Sequence, residues 1–254
     1  MRIFRNKKVL TAIFALILAC LAYFAWPNHK TAEPQVNSTP ATAPNASTTF
    51  NKNQYSLTDP NSIWVIVNKK HSLRPVTYAP SDLVVPSVPL RAPGNESMQL
   101  RQITASALEQ MFAAAKAAGI NLQLSSGYRS YSYQVGTYNS YVKQSGQAYA
   151  NTISARPGFS EHQTGLAADI EPVSRQCEIV DCFANLPEGK WLAANAYKYG
   201  FLMRYPADKA SITGYDYEPW HFRYIGTALS TELRALHVET LEEFFGVSGG
   251  SYSP

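Results

Sequence analysis

FSEHQTGLAADI, residues 159–170, holds a histidine and an aspartate seven positions apart across a Thr-Gly break. Fully extended, the chain from His162 to Asp169 would span about 23 Å at ~3.3 Å per residue. Any task shared by the two side chains therefore requires the backbone to fold back between them. Thr164-Gly165 is where it can, because glycine enters left-handed conformations without steric cost. Beyond the turn, LAADI alternates as a strand does: Leu166, Ala168 and Ile170 share one face, and Asp169 occupies the other. The aspartate points away from the apolar layer.

Outward from this stretch the texture is mixed. SIWVIVNKK, 62–70, reads as a short apolar strand, and irregular proline-punctuated chain follows to Pro93. TASALEQMFAAAKAAG, 104–119, is a helix with a Ser106/Glu109 capping box, a stripe of Leu108, Met111, Phe112 and Ala115, and a stop at Gly119. NLQLSSGYRS is a strand entering a glycine turn, and SYSYQVGTYNSYVKQSG is a tyrosine-rich helix ending near Gly146. KWLAANAYKYG is a short helix stopped at Gly200; FLMRYP and YDYEPWHFRYIG are strands. ALSTELRALH is a helix, and Thr240 with Glu243 caps the last one, TLEEFFG. No regular βαβ rhythm or internal repeat is present, which predicts an α+β single domain: a small, mostly antiparallel sheet flanked by helices.

The ends differ from this middle. Arg2, Arg5, Lys7 and Lys8 precede the uncharged run Val9 to Trp26, 18 residues, long enough to span a bilayer. The flanking charges predict a single-pass signal anchor over 1–26 in the cell membrane, with everything after Pro27 on the extracytoplasmic side. Cleavage after the run, or lipidation at Cys20, are the alternatives. Residues 27–58 begin with Pro-, Thr-, Ala-, Asn- and Ser-rich sequence that cannot bury enough surface to offset ordering, so they read as a flexible linker. The globular domain is expected over 59–247 and a frayed tail over 248–254. The net charge of +4 belongs to the anchor: residues 31–254 carry 17 basic against 18 acidic residues, which argues against nucleic-acid binding. Cys177 and Cys182, in CEIVDC, read as a small disulfide closing a surface hairpin, with two free thiols as the alternative. A monomer is expected.

Five histidines leave few ways to build a site. His29 lies in the linker, His71 beside lysines, and His237 near a helix end. His162 and His221 remain. With Asp169 they make two imidazoles and a carboxylate, a set that suits zinc and leaves a fourth position for water. In EPWH, Glu218 lies three before His221, and Pro219 restricts helix there. Glu218 is then the non-ligating base that takes the water proton. Arg129, after a strand and a glycine turn, carries a guanidinium suited to an oxyanion or a carboxylate.

SGYRSY, SEHQTGLAADI, KWLAANAYKYGFLMRYP and TGYDYEPWHFRYIG, in this order and spacing, resemble the VanY-type zinc D-alanyl-D-alanine carboxypeptidases, relatives of the VanX dipeptidases. The likeness runs from about Ile63 to Leu229. It implies Zn2+ on His162, Asp169 and His221, with Glu218 as base and Arg129 stabilising the oxyanion or orienting substrate. Ser160 and Gln134 match positions that contact the terminal D-residue, and Tyr128 and Trp220 would shape the pocket wall. The implied activity is removal of the C-terminal D-alanine from peptidoglycan stem peptides. L,D-carboxypeptidase, dipeptidase and endopeptidase activities stay open, because the motifs do not separate them. A wall-binding module that keeps the metal site is the non-enzymatic alternative.

Overall fold

The computed structural model describes residues 50–252. The expected anchor, Cys20 and most of the linker lie outside the described residues. Among the described residues no helix is long and apolar enough to cross a membrane.

Alternating apolar residues build a four-stranded antiparallel sheet with helices packed around it and a two-stranded ribbon beside them. The two-residue strands β1 (Leu83–Val84) and β2 (Leu100–Arg101) pair at one side, and helix α1 (Gln102–Ala117) follows directly. Then come β3 (Leu122–Ser126), the long α2 (Tyr131–Ile153), β4 (Ala167–Pro172) and α3 (Pro187–Asn195). The chain closes with β5 (Phe201–Tyr205), a short α4 (Ala210–Thr213), β6 (Glu218–Tyr224), α5 (Thr227–Leu236) and α6 (Leu241–Phe245). The main sheet has the order β3-β4-β6-β5, every neighbour antiparallel, as the α+β reading expected. Its register sets Asp169 opposite His221 and Glu218 opposite Tyr205. Leu124, Leu166, Ala168, Ile170 and Phe222 bury into the core shared with Leu108, Met111 and Ala115 of α1.

Several local expectations are corrected. Residues 62–67 form no ladder, although Trp64, Val65, Ile66 and Val67 are all buried. They wedge between two apolar clusters, Val65 and Val67 in one, Trp64 and Ile66 in the other. The carbonyls of Ile63 and Val65 are taken by the Arg223 guanidinium instead of a strand. Helix α1 starts four residues before Ser106, with no side-chain cap, and Glu109 accepts the Ser87 backbone N–H at 2.7 Å. The capping box is absent because both residues are interior to the helix. Gly146 does not end α2; its φ of 79° breaks the helix, which then resumes to Ile153. Thr240 does cap α6, accepting from the Glu243 N–H at 3.1 Å.

The packed region also extends beyond 59–247 at both ends. Phe50 lies against Trp64 and Phe244 with ring centroids 5.7 Å from each, and Lys52 donates to the Phe244 carbonyl at 2.6 Å. The expected linker therefore contributes part of the domain. Tyr252, in the tail expected to fray, packs edge-on to Phe159 and accepts the Arg156 N–H at 2.7 Å. Aromatic side chains supply the large apolar area that makes this docking worthwhile. Cys177 and Cys182 are joined in a disulfide, but in a turn-rich loop leading into a 3-10 helix (Asp181–Asn185), not in a hairpin.

Candidate metal centre

The Thr-Gly break makes the expected reversal. Residues Glu161–Thr164 form one 3-10 turn, and Gly165 closes it in the left-handed region at φ 68°. Thr164 Oγ1 donates to the Glu161 carbonyl at 2.6 Å and accepts the Leu166 N–H at 3.1 Å. A Cβ at Gly165 would lie 2.9 Å from Arg101 Cγ, so the position excludes a side chain as well as favouring glycine. The turn delivers His162 to the same side of the sheet as Asp169 on β4 and His221 on β6.

One potential ligand atom from each of these three residues lies within 4.8 Å of the others, and all three side chains are buried. His162 Nδ1 is 2.6 Å from the Gly127 carbonyl oxygen. A carbonyl only accepts, so Nδ1 carries the proton and Nε2 presents a lone pair. That Nε2 is 3.3 Å from Asp169 Oδ2. His221 turns Nδ1 toward the same carboxylate, 3.1 Å from Oδ1, and lies 3.6 Å from Glu218 Oε2. Asp169 Oδ1 nevertheless has no aligned hydrogen-bond donor. A buried carboxylate oxygen without a donor, flanked by two imidazoles, fits a divalent cation of the zinc type.

Arg129 departs from the simple expectation of a side chain turned to substrate. Its Nη2 is 2.7 Å from both His162 Nε2 and Asp169 Oδ2, the donors a metal would take. Its Nε donates to Ser126 Oγ at 3.0 Å. A cation held by His162 and Asp169 would compete with Nη2 for their lone pairs.

Electrostatics separate the roles of these groups. Burial, reinforced by Arg129, lowers the pKa of His162 to about 4. Burial opposes ionisation of Asp169, yet the neighbouring His162, His221 and Arg129 hold it well below the usual carboxylate range. Burial also opposes charge on His221, but the facing carboxylates of Asp169, Glu161 and Glu218 more than offset it and lift the pKa to about 9. Burial pushes Glu218 up to about 7, against the pull of His221. A carboxyl poised near neutrality suits proton transfer in both directions. Its side chain is 14% exposed, open to the cleft.

The cleft is lined by Arg129, Gln134, Ser160, Glu218 and Trp220 together with the three potential ligands. Ser160 makes no side-chain cap bond to the turn it precedes, so its hydroxyl is not spent on local structure. Gln134 Nε2 donates to Ser154 Oγ and the Ala155 carbonyl, while its buried Oε1 has no partner. Tyr128, expected in the pocket wall, is absent from the lining. It is buried, and its backbone N–H bonds the Gln99 carbonyl at 2.7 Å. Tyr205, Tyr215 and Ile179 line the cleft without having been singled out. Glu161, between Ser160 and His162, was also passed over. The arginines in FLMRYP and HFRY, placed among apolar strand residues, were the signal for a buried acidic partner.

Fold and site together define a hydrolase-like class: a small antiparallel sheet presenting a metal-capable triad beside a free carboxylate of near-neutral pKa. A sequence profile described as VanY: D-alanyl-D-alanine carboxypeptidase matches residues 97–227. YodJ of Bacillus subtilis (strain 168) is 44% identical over 193 residues, 75% of this chain and 69% of that protein. The solved LdcB LD-carboxypeptidase matches with a TM-score of 0.70 at 43% identity, over 75% of this chain and 89% of that one. The vancomycin-resistance D,D-pentapeptidase VanY, solved with Zn(II), matches with a TM-score of 0.59 at 30% identity, over 71% and 97%. The chain belongs to the VanY family of D-alanyl-D-alanine carboxypeptidases.

Proposed function

We propose that the protein is a zinc-dependent carboxypeptidase that releases the C-terminal D-alanine of peptidoglycan stem peptides, as a D,D-carboxypeptidase on the pentapeptide stem. The observation that carries this reading is the convergence of His162, Asp169 and His221 within 4.8 Å, with Glu218 beside them in one cleft. Bound to the triad, zinc would supply Lewis-acid chemistry, acidifying the attacking water and polarising the scissile carbonyl. Glu218 accepts the proton of that water and delivers it to the leaving amine as the C–N bond breaks. The products are a shortened stem with a new carboxylate and free D-alanine. Arg129 stabilises negative charge on the carbonyl oxygen or orients the substrate carboxylate. Ser160 donates to the terminal residue, Gln134 Oε1 accepts a substrate N–H, and Trp220 forms the apolar wall.

A second reading, L,D-carboxypeptidase on the tetrapeptide stem, is supported by the higher identity and TM-score of the LdcB match. Mass spectrometry of defined tri-, tetra- and pentapeptide muropeptides, incubated with added zinc, separates the two. Loss of one alanine from the pentapeptide supports the D,D reading, and loss from the tetrapeptide the L,D reading. Release from no stem would overturn both and favour a wall-binding module. Val9 to Trp26 would hold a monomeric domain at the outer face of the membrane, which protease accessibility in intact cells checks.

A further inference from the structure

Glu161 is wholly buried, takes no part in the proposed chemistry, and lies at the centre of a charge network. Its Oε1 accepts from Arg204 Nε and Arg223 Nη1, each at 2.8 Å. Arg204 in turn grips Glu242 with both terminal nitrogens at 2.8 and 2.7 Å. Two guanidinium groups thus face two carboxylates, and the network balances its own charge. Glu161 Oε2 is left over. It is buried without a hydrogen-bond partner, and so is His221 Nε2, 3.7 Å away. Two buried orphans of opposite hydrogen-bonding character face each other, and a shift of less than 1 Å closes the bond.

We infer that Glu161 is a positioning residue for His221: it accepts the Nε2 proton and thereby keeps the Nδ1 lone pair directed at the metal site. An ionised carboxylate can only accept, so an imidazole facing it keeps hydrogen on Nε2. Nδ1 is the nitrogen that faces Asp169 and Glu218. The Tyr205 ring, 4.8 Å from the imidazole by centroids, restricts its rotation from the side. Because Glu161 immediately precedes His162, one 3-10 turn supplies one potential ligand and orients the other. This inference rests on the zinc assignment proposed above.

The test uses the full chain. In the zinc-loaded protein, long-range 1H–15N NMR should place the His221 proton on Nε2; a proton on Nδ1 overturns the inference. Glu161→Gln should weaken zinc binding roughly 10–100-fold in competition with a chromophoric chelator. It should also shift the visible spectrum of the cobalt-substituted protein. Glu242→Gln, which loosens the same ion network without facing His221, should leave both readouts unchanged. Equal weakening by the two substitutions would assign the effect to the network and overturn the inference, as would unchanged affinity in Glu161→Gln. If Glu161→Gln fails to fold, Glu161→Asp keeps the charge but shortens the reach, and the same loss of affinity is expected. A wild-type protein that binds no zinc refutes the metal assignment instead.

Discussion

Removing metal should expose an unequal pair of histidines. With pKa values of about 9 for His221 and about 4 for His162, the stripped protein at pH 7.5 carries one imidazolium and one neutral imidazole. At that pH the charged form of His221 outweighs the neutral by roughly thirtyfold. A metal bound at Nδ1 must displace a proton from the imidazolium, so zinc affinity should rise about tenfold per pH unit between pH 7 and 9 and flatten above. The stability sign follows from the direction of each shift. His221 has a raised pKa, so its contribution is fully present below its unfolded value of about 6.5 and is lost as pH rises through 9; a shift of that size corresponds to about 3 kcal/mol. His162 has a lowered pKa, so the folded state loses stability as pH falls from about 6.5 to 4. Titration of both rings by 15N NMR in chelator-treated protein, with zinc affinity measured across the same range, checks this. A His221 midpoint at or below 6.5, or an affinity flat between pH 7 and 9, would refute the electrostatic account.

Glu218→Gln should keep zinc bound while lowering kcat by about 10²–10⁴-fold, the usual share of a general base; substantial residual turnover would remove its assigned role. Gly165→Ala should cost about 2–4 kcal/mol, from the left-handed backbone and the close approach to Arg101, read as a lower denaturation midpoint. Truncation after Gly250 removes Tyr252 from Phe159 and Arg156 and should destabilise the domain by about 1–3 kcal/mol in urea, whereas a frayed tail would cost nothing. A chelator should abolish D-alanine release from stem peptides, and zinc should restore it.

Much of the site was legible because its chemistry lies in short local patterns. Residues 160–170 contain the turn, the strand alternation and two of the potential ligands, so backbone geometry alone could bring them together. EPWH carried the third ligand candidate and the carboxylate beside it, Glu218, by the same kind of local logic. Misreadings fell where burial overrode local preference. The apolar run 62–67 looked like a strand, yet it is buried on both sides between clusters formed by residues far along the chain. Tyr128, which the family resemblance put in the pocket wall, is instead buried, with its backbone N–H on the Gln99 carbonyl.

Residue types and their local spacing, then, determined most of the helices and strands, the turn at Gly165 and the identity of the metal-capable set. Only the tertiary structure decided how those residues are held. The β4–β6 register placed Asp169 against His221, and long-range packing buried Glu161 between Arg204 and Arg223. Burial strips water from these charges, so the protonation of His162, Asp169 and Glu161 depends on partners tens of residues away. A local pattern can mark that such a partner exists, as the arginines in FLMRYP and HFRY do, but not which residue it is.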